Sequence, residues 1–268
     1  IGLNSSVMKL SKFLLVFAVV FSFSVQATDS RKEEYNYDLV DQYGSYNFSQ
    51  TLDATKSSTT ITIDGVDIKV GLTAWSDTWG HEDNYIQQAP ITDWDGGLTV
   101  TNSQSGDSHY IDNFHGGGDF DMILLSFDTN VVLDSASFRS VHGDNGSNEV
   151  TIAGLADNAL SNLSYKSTWA DVAAFSISGT VGHYGISSSL ESKFGAVSSA
   201  KYWLIGAYNT FFDDSVEKYK GVGFKLQALN LELGTTTTTP PTQVSEPGAL
   251  ALMGLGLGLV LYRRKRRV

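Results

Sequence analysis

Residues Thr59 to Val70 read TTITIDGVDIKV, with apolar and polar side chains alternating on both sides of Asp64-Gly65. A period of two marks a strand with one buried face. Asp-Gly supplies the two consecutive positive-φ positions that a tight hairpin turn requires. The register follows: Ile63 opposite Val66 and Ile61 opposite Ile68, all on one face.

The same pattern continues along the chain. Thr28–Thr59 is a polar lead-in with one edge strand. Leu98–Thr101 is a short strand. Asp121–Phe127 is a buried strand, expected to pair with Val131–Phe138 across Asp128-Thr-Asn130. Glu149–Leu155, Val172–Ser178, Lys201–Tyr208 and Tyr219–Leu233 complete the strand set. In the last, the apolar phase slips by one between Leu226 and Leu229, predicting a β-bulge near Gln227-Ala228. Ala156–Leu163 reads as one short helix, and Trp75–Trp94 as a long acidic loop. Short strands, abundant turn residues and almost no amphipathic helix predict an all-β fold, a jelly-roll-like β-sandwich with short helical segments. Residues 28–234 form this domain.

The formal net charge is −11, and the chain has no cysteine. The body is more acidic still, because Lys9, Lys12 and the basic cluster Arg263–Arg267 lie in terminal segments that carry almost no acid. Such a surface repels nucleic acid and anionic lipid. The absence of cysteine excludes a disulfide framework and thiol chemistry.

Both ends read as addresses. Lys9 and Lys12, an apolar stretch Phe13–Phe23, and Val25-Gln26-Ala27 make a secretory signal peptide cut by signal peptidase after Ala27, with translation expected to begin at Met8. Thr235–Thr239 with Pro240-Pro241 forms a low-complexity stalk over 235–244. Behind it come Ser245-Glu246-Pro247, an uncharged glycine-rich run from Gly248 to Tyr262, and Arg263-Arg264-Lys265-Arg266-Arg267. The apolar part, Ala249–Leu261, is a short apolar helix covering about 20 Å at ~1.5 Å per residue, against a hydrocarbon core of about 30 Å. It is a brief membrane span, pinned by cations that resist translocation.

This order of parts over 245–268 resembles the PEP-CTERM sorting signal, although Ser245 stands where the first proline usually does. The resemblance implies processing near Glu246-Pro247 by an exosortase, a membrane-embedded transpeptidase of Gram-negative bacteria that make extracellular polysaccharide. It implies delivery to the cell surface or matrix. The alternative is a permanent membrane anchor. The body is also similar to exosortase-dependent surface proteins, on Asp107–Asn113, Gly116–Gly118, Asp121–Phe127, Val131–Leu133, Gly143-Asp144, Lys201–Tyr208 and Gly223–Leu226. That likeness implies an extracellular β-rich protein and no known reaction.

Two groups of side chains invite chemistry. Asp112, Asn113, Asp119 and Asp121 lie in a glycine-rich stretch and offer the oxygen ligands that calcium takes. Their spacing matches no EF-hand, and an ordinary turn capped by Asp and Asn is the commoner explanation. His109, Asp112 and His115 form a weaker zinc alternative. Trp75, Trp79 and Trp94 flank the acidic loop and are candidates for stacking on sugars, against the commoner outcome of a buried ring. No nucleophile elbow, zinc-protease motif or phosphate loop occurs, so no enzyme is expected. The expected role is structural or interaction-based, linked to exopolysaccharide, with a calcium-assisted carbohydrate-binding module as the alternative.

Overall fold

A computed structural model describes residues 34–234 apart from 42, 78–84, 102–108, 115–118, 145–146, 165, 197 and 213–220. The expected signal peptide and stalk and the C-terminal segment 245–268 lie outside the described residues. The described strands are β1 (Tyr35–Asp38), β2 (Thr60–Ile63), β3 (Val66–Asp77), β4 (Ile86–Ala89), β5 (Ile91–Asp93), β6 (Leu98–Val100) and β7 (Ile111–Asp112), then β8 (Asp121–Gly143), β9 (Glu149–Leu155), β10 (Gly182–Gly185), β11 (Glu191–Lys193), β12 (Ala200–Ala207) and β13 (Val222–Leu233). Among the described residues one short α-helix, α1, spans Trp169–Ala173, and 3-10 turns lie at Ala54–Lys56, Ala159–Asn162 (within the short helix expected at 156–163) and Thr210–Phe212.

All of these strands belong to one hydrogen-bonded, antiparallel network that packs as a sandwich. The first layer runs β10-β9-β12-β8-β3-β4 and uses the front half of β8, Asp121–Phe127. In the second layer β13 pairs with the back half of β8, Val131–Gly143. The other edge of β13 is tiled by β7, β6 and β1 in tandem, with β5 against β6. β11 pairs with β8 at Ser135–Ser137.

The expected hairpin within 121–138 does not form. β8 is a single strand of 23 residues, and Asp128–Asn130 is the stretch at which it passes from one layer to the other. Each half has its own partners on both edges, so turning back on itself would leave those partners unpaired.

Side-chain alternation sorts the first layer into two faces. Ile123, Leu125 and Phe127 of β8 face the interlayer core with Leu72, Ile152, Trp203 and Ile205, where they meet Phe224, Leu226, Leu229 and Leu231 of β13. Met122 and Leu124 face the other way with Leu155 and Leu204, under a cap that includes Trp169, Val172 and Phe212. A strand buried on both faces reads as a continuous apolar run rather than an alternating one, as at Met122–Leu125 and Trp203–Ile205.

The hairpin at Asp64-Gly65 has the expected register, Ile61 opposite Ile68 and Ile63 opposite Val66. Both turn residues have positive φ, 51° and 76°. The phase slip in β13 is a bulge: pairing with β8 jumps from Leu226 to Ala228, leaving Gln227 out. Two other expectations are corrected. Val172–Ser178 is not a strand, because Thr168 and Asp171 form a reciprocal capping box that starts α1. Trp75–Trp94 is not one loop, because β3 extends to Asp77 and β4 and β5 follow.

Trp203 is fully buried in the centre of the first layer, and its Nε1 donates to the Val131 carbonyl at 3.1 Å, tying the layer to the bend of β8. Trp203→Ala is expected to destabilise the fold by about 3–5 kcal/mol, the range for deleting a large buried aromatic. Equilibrium denaturation by urea measures it; a loss under 1 kcal/mol would show that this ring is not a keystone.

Candidate functional site

The front end of β8 gathers the candidate acids. Asp121 begins β8, Asp112 ends β7, and Asp77 ends β3 one residue past the Ser76–Asp121 pair. Asp119 precedes β8. All four are almost fully buried, at 1–4% exposure. The Asp112 N–H donates to Asp121 Oδ2 at 3.3 Å, and Asp112 Oδ1 accepts from the Phe114 N–H at 3.1 Å. Asp77 Oδ1 accepts from the Phe120 N–H at 2.5 Å. Asp77 Oδ2 and Asp121 Oδ1 have no hydrogen-bond partner among the described residues.

Asn113 sits beside this cluster but works as a joint. Its Nδ2 donates to the Tyr208 carbonyl at 2.6 Å and its Oδ1 accepts from the Val222 N–H at 2.7 Å, joining the exit of β12 to the entry of β13. Its amide oxygen is therefore engaged by backbone.

Burial raises the carboxyl of Asp77, and neighbouring Asp119 adds to it, pushing it up to about 8. Asp121 lies well above the ordinary carboxylate range through burial, then through Asp112 and Asp119. Carboxylates removed from water must hold protons or meet a cation. Sequence reading found three of these acids and missed Asp77, which lies some forty residues away in the chain and joins them only through β3–β8 pairing. A second carboxylate group, Glu34, Asp134 and Glu232, has oxygens within 4.8 Å of one another at an exposed to half-buried edge.

The tryptophans separate. Trp75 is buried, and its Nε1 donates to Thr73 Oγ1 at 3.1 Å, so it offers no open ring face. Trp79 lies outside the described residues, as does His115. Trp94 is 52% exposed and stacks on His109, with centroids 4.4 Å apart and planes 3° from parallel. It precedes a turn at Asp95-Gly96, where both residues have positive φ, closed by the Trp94 N–H donating to the Gly97 carbonyl at 3.0 Å. Arg139 Nε donates to the Asp95 carbonyl at 3.0 Å and braces this turn.

Against it lies a second turn. Asp41 Oδ1 accepts from the Tyr43 and Ser45 N–H groups, both at 2.8 Å, which holds the Asp41 carboxyl below its usual range and leaves Tyr43 83% exposed. Gly44 has φ +79°, and a Cβ there would lie 2.9 Å from Asp93 Oδ2, so the two turns touch. Between them runs an open groove of about 820 Å³ whose walls include Asp41, Tyr43, Asn47, Asp93 and Arg139.

For the buried acids the pH dependence follows from the direction of the shifts. Folded Asp77 keeps its proton up to about 8 while the unfolded carboxyl loses it near 4, so the native state binds more protons between those values. In the absence of divalent cations, stability should therefore fall as pH rises through that window. Asp77→Asn keeps an oxygen for the Phe120 N–H and removes the charge. It should flatten the slope and raise Tm at pH 8 by a few degrees; an unchanged slope in thermal melts would place the titrating group elsewhere.

No curated protein and no solved structure matches the chain. Among the described residues no helix is long and apolar enough to cross a membrane. A family model described as the PEP-CTERM protein-sorting motif matches residues 243–267. The match contains Ser245, Glu246, Pro247 and the cluster Arg263, Arg264, Lys265, Arg266 and Arg267, all outside the described residues. The chain thus carries, behind its β-sandwich body, a C-terminal PEP-CTERM sorting motif of the kind that directs exosortase-dependent export.

Proposed function

We propose that this is an exosortase-processed protein of the cell surface or extracellular matrix, whose β-sandwich has a structural or interaction role linked to exopolysaccharide and no catalytic activity. The sorting motif at 243–267 carries the proposal. Three further features support it: a signal-peptide-like N-terminus, a Thr/Pro-rich segment between body and tail in the sequence, and an acidic body suited to remain soluble outside the cell. Processing removes the basic cluster and frees the body from its transient membrane span. In the native host the mature protein should lack Arg263–Arg267, and a strain without the exosortase should retain them. Intact-mass measurement of the surface fraction tests this; finding Arg267 on the surface form would favour a permanent anchor instead.

A second reading adds calcium. Asp112, Asp119 and Asp121, joined by Asp77, are the residues that would hold it, and the supporting observation is the two buried carboxylate oxygens without hydrogen-bond partners among the described residues. A divalent cation there would neutralise buried charge and tie β3, β7 and β8 together. Millimolar calcium should then raise Tm at pH 8 by a few degrees, reversibly with EDTA. The rise should be absent in Asp121→Asn. Equal melting with and without calcium would remove the ion from the account.

A further inference from the structure

We propose that the groove between the Asp41–Ser45 turn and the Asp93–Gly97 turn is a binding site for neutral polysaccharide, with Trp94 and Tyr43 as stacking platforms. This rests on the exopolysaccharide reading above and assigns that role to one surface.

The rings are the first reason. Exposed aromatics are normally scattered, but here Tyr43 lines the groove and exposed Trp94 stands on the adjoining turn between two lining residues, Asp93 and Asp95. His109 covers one face of Trp94 in a parallel stack, so the exposed half of the ring is its other face. The ring is thereby held in one orientation before any ligand arrives, which lowers the ordering cost of binding. Tyr43 is displayed by a turn that is itself clamped by Asp41 and buttressed by Asp93. A sugar ring presents a flat C–H face to such platforms and hydroxyls around its edge.

The walls supply the matching polar groups. Asn47 offers a donor and an acceptor, and the carboxylates of Asp38, Asp41 and Asp93 accept hydroxyl hydrogens. A groove of about 820 Å³, open to solvent, suits an extended chain rather than an enclosed small molecule. Charge then selects the class. Four aspartates, at 38, 41, 93 and 95, face a single arginine that is already braced against Asp95. The excess negative potential repels uronate-bearing or sulfated chains, so among these polysaccharide classes it favours neutral over acidic ones.

Affinity electrophoresis of the purified full chain through gels containing neutral glucan, galactan or mannan, or acidic alginate, tests the assignment. Retardation is expected in at least one neutral gel and not in alginate. Trp94→Ala and Tyr43→Ala should each weaken it about tenfold, the scale of losing one aromatic anchor, with unchanged thermal melts. Host exopolysaccharide is assayed in parallel by co-sedimentation. If it carries down the wild type and both variants equally, the groove assignment is wrong while the matrix role stands. If it carries down none, and no neutral gel retards the protein, both fall. Retardation by alginate alone would overturn the charge argument and with it the proposed ligand class.

Discussion

The structure depends on one strand that each layer claims in turn through hydrogen-bonded partners of its own. β8 is an interior strand of one layer over Asp121–Phe127; in the other it pairs with β13 along Val131–Gly143, and β11 takes its second edge at Ser135–Ser137. Because the same strand serves both layers, their faces close on a shared core without a separate linker. Trp203 fastens the crossing point by bonding its indole to the Val131 carbonyl. The short strands β1, β6 and β7 need no independent stability, since each extends a ladder that β13 already presents.

Gathering strand ends has an electrostatic consequence. The entry of β8 brings the ends of β3 and β7 to one place, and with them Asp77, Asp112 and Asp121. Buried carboxylates in such number oppose folding unless protons or a cation neutralise them. A protein that meets varying pH and cation levels outside the cell would be sensitive at that point. Asp77 and Asp121 lie at the end of the first layer and meet Asp112 of β7, whereas the groove is built on the Asp41–Ser45 and Asp93–Gly97 turns, so the two candidate sites share no residue.

The groove shows how a rigid scaffold displays side chains from loops. Two tight turns, each closed by its own backbone or carboxylate hydrogen bonds, leave Tyr43 and Trp94 outside the core. Nothing about either ring alone would distinguish it from an ordinary exposed aromatic; what the fold adds is the close approach of Gly44 to Asp93, which sets the two turns side by side.

Local pattern was enough for part of this. The Asp64-Gly65 hairpin, its register, the bulge at Gln227 and the all-β class were legible because turn chemistry and a period of two act over neighbouring residues. The sorting motif was legible for the same reason, as a contiguous string of residue types. The continuity of β8 was not, because Asp128-Thr-Asn130 resembles a turn and only partners distant in the chain keep it extended. Likewise Asp77 joins the buried acids, and Trp75 sinks inward while Trp94 stays outside, through long-range pairing. Short-range chemistry therefore determined the kinds of element and the address of the protein. Tertiary structure decided which acids and which aromatics share a site, since that depends on strand neighbours that the order of residues does not reveal.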